Sequence, residues 1–397
     1  MTIAIAMAVT LLAAFVAGAC GNQPRAPTPT ATTSAQPTSV PASPTSVSLS
    51  PAPIQGTEAP GAPGLVAAGA GLALPPGFRA NVFFVGLTNP TSMAFSPDGT
   101  LFVSQEDGII VAIIDFDGDG KADGASGYAQ GFFVPLGLAF HDGRLYVSSR
   151  GSVTIMQDTD GDGQADEIER IISGLPNGPH QNNGLAFGPD GMLYLTLGST
   201  CNACIEEDPR SATIMRYSPD GSGGEVFARG LRNVYDIAFH PSDGTLFGAD
   251  NGRDEEALGV PEELNLLVKG ADYGWPDCWG RGGGTNCQGT TAPVVELEPR
   301  SSADGLAFYT GSQFPDEYVN DLFIAMWGSH SREAGRKVVR VQLLGDGDSY
   351  TAQVSDFALG FDRPLDLVVA PDGALLVGDY GSGTIYRIYW EGSGDDG

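Results

Sequence analysis

One phrase occurs six times along this sequence: a short apolar strand, a turn of the Pro-Asp-Gly type and a second β-rich strand. Ser92–Val103 and Gly184–Leu195 are clear copies. The second residues of the six first strands are Met93, Leu138, Leu185, Ile237, Leu306 and Leu367. Their spacing suits four-stranded blades with insertions, and the turn residues supply the backbone angles that hairpins need. The sequence therefore predicts an all-β fold, a six-bladed β-propeller. A β-sandwich with coincidental turns does not explain the repeated Leu-Ala-Phe.

The residues before the repeats divide into two segments of different composition. Residues 1–20 are mostly small and apolar and end at Cys20, a pattern typical of an export signal with a lipidated Cys; an ordinary signal peptide and a membrane anchor are the alternatives. Residues 21–73 are rich in Pro, Thr, Ser and Ala, which cannot bury enough apolar surface to fold, and we expect a tether there. The propeller is expected over 74–392, closed by a strand near Phe78 to Val85 placed beside the last blade.

The net charge limits the partners of the chain. With 48 acidic and 20 basic residues the formal charge is −28, which repels nucleic acid and anionic membranes. The charge is compatible with neutral substrates and with cations. We therefore expect no nucleic-acid partner, and contact with a membrane only through a lipid anchor.

Four cysteines remain once Cys20 is set aside, and they form two local pairs. In an exported protein, Cys201/Cys204 and Cys278/Cys287 predict two short disulfides. A zinc or redox site at the C-x-x-C pair is the alternative, although the sequence has no second C-x-x-C and no suitably spaced His.

The topology of a propeller sorts the polar residues by face. The segment entering the first strand of a blade and the segment leaving its second strand lie at the same end of the central channel. His180, Arg232 and Arg363 enter first strands, whereas Ser199, Asn251–Asp254 and Trp327–Arg332 leave second strands. We expect these residues to line one mouth of the channel, where a His, an Asn and several Arg side chains suit an anionic cofactor and a general base.

Two acidic loops lie between the third and fourth strands of blades 1 and 2, at the far end from this mouth. The second loop has oxygen ligands at the positions of a calcium loop and Gly at position 6. Its candidate ligands are Asp158, Asp160, Asp162, Gln164, Asp166 and Glu169. The first loop offers Asp115, Asp117, Asp119 and Asp123, with Ser126 at the last position. Both predict structural calcium sites; the alternative is a solvated hairpin without an ion.

Four motifs together resemble the glucose/sorbosone dehydrogenase family, soluble enzymes that use pyrroloquinoline quinone (PQQ). They are His180–Gly191, Gly230–Asn233, Glu263–Asn265 and Gly270–Pro276, within a resemblance that spans roughly Leu74 to Trp390. The Cys201–Cys204 insertion and the acidic loops are more similar to the sorbosone-dehydrogenase branch. The glucose enzymes of the family carry an Asp after the second strand of blade 3, where it orients the catalytic His; this chain has Ser199 there.

The resemblance implies a role for each residue of the expected mouth. His180 would be the general base and Arg232 the charge that stabilises the quinone oxygen during reduction, while Asn233, Arg332 and Arg363 would contact PQQ. The backbone carbonyls of Gly252 and Arg253 would hold a calcium ion that bridges to the cofactor.

The implied function is PQQ- and calcium-dependent oxidation of an aldose or a sugar aldehyde outside the cytoplasm, with a quinone or a cytochrome as electron acceptor. Two alternatives remain open: a calcium-dependent lactonase propeller and a non-catalytic binding propeller.

Overall fold

The computed structural model describes residues 64–255, 259–329, 334–347 and 349–392. These residues form 28 strands and one short 3₁₀ helix, Asp316–Tyr318. The strands in chain order are β1 (Val66–Gly69), β2 (Leu72–Leu74), β3 (Phe78–Val85), β4 (Pro90–Phe95), β5 (Leu101–Gln105), β6 (Ile109–Ile114), β7 (Gly124–Gln130), β8 (Pro135–His141), β9 (Arg144–Ser149), β10 (Ser152–Gln157), β11 (Glu167–Ser173), β12 (Asn182–Phe187), β13 (Leu193–Leu197), β14 (Thr213–Tyr217), β15 (Glu225–Arg229), β16 (Val234–Phe239), β17 (Leu246–Asp250), β18 (Glu262–Leu267), β19 (Cys278–Trp279), β20 (Gly283–Gly284), β21 (Val295–Leu297), β22 (Ala303–Phe308), β23 (Leu322–Met326), β24 (Lys337–Asp346), β25 (Ser349–Leu359), β26 (Pro364–Val369), β27 (Leu375–Asp379) and β28 (Thr384–Trp390).

Six antiparallel sheets form the blades of a propeller, as the repeats predicted. Blades 1 to 3 are β4–β7, β8–β11 and β12–β15; blade 4 is β16, β17, β18 and β21; blade 5 is β22–β25; blade 6 is β26, β27, β28 and β3. The innermost strands contact one another in a closed cycle: β4, β8, β12, β16, β22, β26 and again β4. Each innermost strand therefore lines one central channel.

The ring closes through the N-terminal strand, as expected. β3 pairs antiparallel with β28, from Phe78 opposite Trp390 to Val85 opposite Thr384. Phe78 is fully buried and meets four aromatic rings edge-on, those of Phe314, Tyr318, Phe357 and Trp390. Such ring pairs contribute about 0.5–1.5 kcal/mol each beyond their buried area, so this cluster anchors the closing strand between blades 5 and 6.

The folded part of the chain begins earlier than the expected boundary at residue 74. β1 and β2 form a hairpin, and β2 adds to the outer edge of blade 5 through Ala73 opposite Leu359. Ala68, Leu72 and Leu74 are buried there. A segment of small apolar residues thus covers a blade edge instead of belonging to the tether. Residues 1–63, with Cys20 and most of the expected tether, lie outside the described residues.

Small residues in the repeated phrase let neighbouring blades approach closely at the channel. A Cβ atom on Gly184 of blade 3 would lie 2.8 Å from the Tyr235 carbonyl oxygen of blade 4. One on Gly305 of blade 5 would lie 2.6 Å from the Leu365 carbonyl oxygen of blade 6. Real Cβ contacts essentially never are that short, so these positions require glycine and neighbouring blades pack closely there.

Both predicted disulfides are present: Cys201 pairs with Cys204 and Cys278 with Cys287. The C-x-x-C pair is therefore not a zinc site in this structure. Among the described residues, none of the structure's helices is long and apolar enough to span a bilayer.

Candidate functional site

The expected mouth lies where the chain enters the first strands and leaves the second strands of blades 3 to 6. His180 precedes β12, Arg232 and Asn233 precede β16, and Arg363 precedes β26. Ser199 follows β13 and Asn251 follows β17. The structure brings the blade 3 and blade 4 residues into one hydrogen-bonded network, whereas Arg363 belongs to a separate group on blades 5 and 6. Arg332 lies outside the described residues.

Ser199 holds the His180 ring through one of the two ring nitrogens, Nδ1. Its Nδ1 lies 3.1 Å from the Ser199 carbonyl oxygen and 2.9 Å from Ser199 Oγ. A carbonyl oxygen can only accept, and Ser199 Oγ already donates its hydrogen to the Cys201 carbonyl at 2.7 Å. Nδ1 therefore carries the proton, which leaves Nε2 as the nitrogen able to accept one.

The surroundings of His180 keep the imidazole neutral. Burial, and then the charge of Arg232, lower the pKa of His180 to about 4. A neutral imidazole with Nε2 unprotonated is the form that a general base needs, so His180 is ready for that role throughout the neutral pH range.

Arg232 is almost completely buried and fixed on every side. Its side chain donates to the Asn202 carbonyl, the Asn202 Oδ1, the Asn251 carbonyl and the Asp254 carboxylate, at 3.2, 2.9, 3.1 and 2.7 Å. Its backbone N–H donates to Asp250 Oδ2 at 3.0 Å. This network gives the guanidinium one orientation beside His180.

Asn183 and Asn233 link the two central blades of the site. Asn183 Nδ2 donates to Asn233 Oδ1 at 2.8 Å and to the Val234 carbonyl at 3.1 Å. On the other side, Asn182 donates to Ser148 Oγ in blade 2 at 2.8 Å. The amides after His180 thus tie blades together, a role the sequence motif did not reveal. Asn233 lies near His180, but its Oδ1 already accepts the Asn183 amide.

A second group of polar residues forms the opposite wall of the mouth. The Arg363 guanidinium lies 4.1 Å from the ring centroid of Trp327, which leaves the second strand of blade 5. Arg363 Nη1 and Ser329 Oγ are buried and have no hydrogen-bond partner within the described part of the chain. Buried polar atoms are rarely left unpaired, so both atoms are candidates for a bond that the described residues do not supply.

Gly252 and Arg253 lie beside several buried carboxylates. The Gly252 N–H donates to Glu262 Oε2 at 2.5 Å, and the Arg253 side chain pairs with Glu255 and lies over the Trp279 ring. Burial raises the pKa of Glu262 to about 7 and that of Asp250 and Asp304 to about 8. No sequence motif marks these carboxylates, because they lie inside strands or at strand ends.

The acidic loops lie between β6 and β7 and between β10 and β11, at the end of the blades away from the mouth. Carboxylate oxygens of Asp158, Asp160 and Asp166 lie within 4.8 Å of one another, as do those of Asp115, Asp117 and Asp123. Neither group includes Asp162, Asp119 or Glu169. Asp162 and Asp119 accept backbone N–H groups two residues later, from Gln164 and Lys121, and Glu169 lies in β11.

Tyr235 lies across the axis below the mouth. Its hydroxyl, on blade 4, donates to the Thr91 carbonyl of the opposite blade 1 at 2.9 Å. On the far side of this bond the channel widens into a cavity of about 280 Å³, where the carboxylates of Asp236 and Asp366 face inward. Burial raises the pKa of both.

A model of the family described as "Domain of unknown function (DUF7133)" matches residues 72–391. The chain belongs to this family. An uncharacterized protein of Borreliella burgdorferi is 25% identical over 81% of this chain and 91% of its own length. The Aldose sugar dehydrogenase YliI of Escherichia coli is 25% identical over 56% of this chain and 63% of its own length.

Among solved structures, the holo form of the pyranose dehydrogenase PQQ domain from Coprinopsis cinerea matches with a TM-score of 0.69 and 18% identity. The match covers 80% of this chain and 97% of that chain. It shows that the two chains share a fold, in agreement with the six blades described above.

Proposed function

We propose that this protein is a PQQ- and calcium-dependent dehydrogenase that oxidises an aldose or a sugar aldehyde outside the cytoplasm. The observation that carries the proposal is the pair His180 and Arg232: a neutral imidazole with Nε2 unprotonated lies beside a buried and fixed guanidinium at one mouth of the channel. The kinship with an aldose sugar dehydrogenase and the shared fold with a PQQ domain support it.

The free groups of the mouth fit an anionic cofactor. Arg363 Nη1 and Ser329 Oγ are buried without a partner among the described residues, and a carboxylate of PQQ would supply the acceptor that Arg363 lacks. Arg363 would therefore hold the cofactor, and the family resemblance gives cofactor contacts also to Arg332, which lies outside the described residues, and to Asn233. Arg363 lies on Trp327, so its position is set before a ligand arrives.

The neighbourhood of Gly252 and Arg253 fits a cation. Their carbonyls are hard oxygen donors of the kind that calcium prefers, and Asn251 Oδ1 is buried with no partner in the described ranges. The nearby carboxyls of Asp250, Asp304 and Glu262 carry raised pKa values because burial disfavours their charge. A cation there would offset that cost and would polarise a bound oxygen as a Lewis acid.

The residues of the chain divide the chemistry between them. Bound PQQ would supply the oxidant that takes hydride from the substrate carbon. His180 Nε2 would accept the proton of the hydroxyl on that carbon, while the proton on Nδ1 stays bonded to Ser199. Arg232, whose orientation is fixed, would stabilise negative charge that develops beside it without any reorganisation.

Export, the acidic loops and the electron acceptor belong to the same proposal. Two disulfides are typical of an exported protein, and we propose export with a lipid anchor at Cys20. The acidic loops would bind structural calcium, and electrons would pass to a quinone or a cytochrome. The Cys201–Cys204 loop favours the sorbosone-dehydrogenase-like branch.

A reconstitution assay tests the proposal. The purified apoprotein is mixed with PQQ, with calcium or with both, and reduction of a redox dye is followed with a panel of aldoses and sugar aldehydes. We expect dye reduction only when both are present. Lactone hydrolysis that needs calcium but not PQQ would identify a lactonase, and sugar binding without either reaction would identify a binding propeller; both results would overturn the proposal.

A further inference from the structure

The loop closed by the Cys201–Cys204 disulfide lies between the two central residues of the site. On one side, the Cys201 carbonyl accepts the Ser199 hydroxyl at 2.7 Å, and Ser199 in turn accepts His180 Nδ1–H. Because the Ser199 hydroxyl donates its hydrogen to the Cys201 carbonyl, Ser199 Oγ can only accept from His180. The loop thus makes Ser199 Oγ a second acceptor for the Nδ1 proton, beside the Ser199 carbonyl oxygen at 3.1 Å.

On the other side, the same loop holds Arg232. The Asn202 carbonyl accepts Arg232 Nε and its Oδ1 accepts Arg232 Nη2, at 3.2 and 2.9 Å. Asn202 Oδ1 also accepts the Asp254 N–H at 3.0 Å. Asn202 is therefore bonded both to Arg232 and to the backbone of Asp254, whose carboxylate pairs with Arg232.

The loop itself is restrained at both ends. The disulfide joins its first and last residues, and Glu206 accepts both the N–H and the hydroxyl of Thr200 at 2.6 Å. Without the cross-link, ordering the loop would cost more conformational entropy, which the bonds to Ser199 and Arg232 would have to offset. The cross-link keeps the two acceptors in place together.

We propose that the disulfide loop Cys201–Cys204 is a positioning element that reinforces the Nδ1-protonated tautomer of His180 through the Ser199 hydroxyl and holds the orientation of Arg232 through Asn202. The proposal rests on the proposed function for its catalytic meaning. The loop residues act through His180 and Arg232 and need not touch the substrate.

The first test uses the apoprotein and does not depend on activity. Long-range ¹⁵N–¹H NMR of the His180 imidazole is measured in the parent protein, in Cys201→Ala/Cys204→Ala and in the control Cys278→Ala/Cys287→Ala. We expect a protonated Nδ1 in the parent and in the control. In the Cys201→Ala/Cys204→Ala variant both nitrogens should move toward averaged shifts. Unchanged His180 shifts in that variant would overturn the proposal, as would equal changes in the control.

A single substitution covers the case in which the double variant does not fold. Asn202→Ala keeps the disulfide and the bond to Ser199 but removes the Oδ1 acceptor of Arg232. We expect the His180 tautomer to be retained. The kcat of the PQQ-loaded protein should fall about 10-fold with little change in the sugar KM, because Arg232 loses one of the bonds that hold its charge in position for the transition state. An unchanged kcat, or a fall in kcat with an altered His180 tautomer, would contradict the division of roles.

The two proposals fail differently. Suppose that the parent protein shows the expected tautomer, that the tautomer is lost without the disulfide, and that PQQ-dependent oxidation is absent. The positioning role of the loop then stands and the dehydrogenase function is wrong. If oxidation is present and neither the NMR shifts nor kcat respond to the loop variants, the function stands and the positioning role is wrong.

Discussion

The two walls of the mouth differ in how many of their polar groups are already paired. On blades 3 and 4, His180 Nδ1 and the three guanidinium nitrogens of Arg232 all have partners within the protein. On blades 5 and 6, Arg363 lies against an indole ring, and its Nη1 and the neighbouring Ser329 Oγ are buried without partners in the described part of the chain.

The difference separates two tasks within one site. A group that must act in the transition state is most effective when its orientation is fixed beforehand. A group that must hold a ligand keeps a free donor for it. We therefore propose that His180 and Arg232 on blades 3 and 4 carry out the chemistry, and that Arg363 on blade 6 binds an anionic group of the cofactor.

The largest effect is expected on the paired wall. His180→Ala should lower PQQ-dependent turnover about 10²- to 10⁴-fold, the usual contribution of a positioned base. The dissociation constant of PQQ, measured by fluorescence titration of the apoprotein, should stay within about 2-fold of the parent value because His180 does not hold the cofactor. Full activity in this variant would end the assignment of His180 as the base.

Arg363→Ala tests the opposite wall. Loss of a charge-assisted contact should weaken PQQ binding about 10- to 100-fold, while kcat at saturating PQQ should change little. Arg79→Ala is the matched control, since Arg79 pairs with Glu391 at the closing strand of blade 6. A variant that binds PQQ normally but turns over slowly would reverse the roles of the two walls.

A smaller effect is expected on the titration of His180. Its pKa of about 4 results first from burial and then from the positive charge of Arg232, both of which disfavour the protonated ring. Arg232→Met removes the charge but keeps much of the bulk, so the pKa should rise toward 6.5 while staying below it. NMR titration of the imidazole in the apoprotein measures the shift, and an unchanged pKa would show that burial alone sets it.

The parent protein should show the same pKa in its kinetics. The base is active when neutral, so kcat/KM should fall only as the pH drops through about 4 and not near 6.5. An acid limb near 6.5 would mean that His180 is more exposed to water in solution than in the structure.

The smallest effect is expected far from both walls. Asp160 belongs to the three carboxylates of the second acidic loop, beyond the channel. Asp160→Asn should remove most of the calcium-dependent rise in Tm, a loss of roughly 1–3 °C, and leave kcat unchanged. A change in kcat would connect this loop to the mouth, whereas a parent Tm that does not respond to calcium would show that the loop binds no ion.

Topology explains why much of this arrangement could be predicted from the sequence. Repeated phrases fix the blades, and the order of strands within a blade fixes which loops share a face, so the approach of His180 to Arg232 followed from counting residues before each first strand. Turn chemistry and strand periodicity are local properties and are visible in a single chain.

Contacts that depend on side-chain direction were not visible in the same way. Nothing in the sequence indicated that Asn202 would bond to Arg232, or that Asn183 would reach Asn233, because these partners lie on different blades. The early start of the fold at Val66 was missed for a different reason. Its small apolar residues resemble the tether in composition, and only the exposed edge of blade 5 makes them a strand.

The bond between Tyr235 and Thr91 joins blades 4 and 1 across the channel, so a ligand that enters at the mouth meets this bond before it reaches the cavity beyond. If the proposed dehydrogenase function is correct, the sugar, its oxidised product and the electron acceptor would all reach the cofactor from the mouth. Excess substrate would then compete with the acceptor, and release from the mouth could limit turnover.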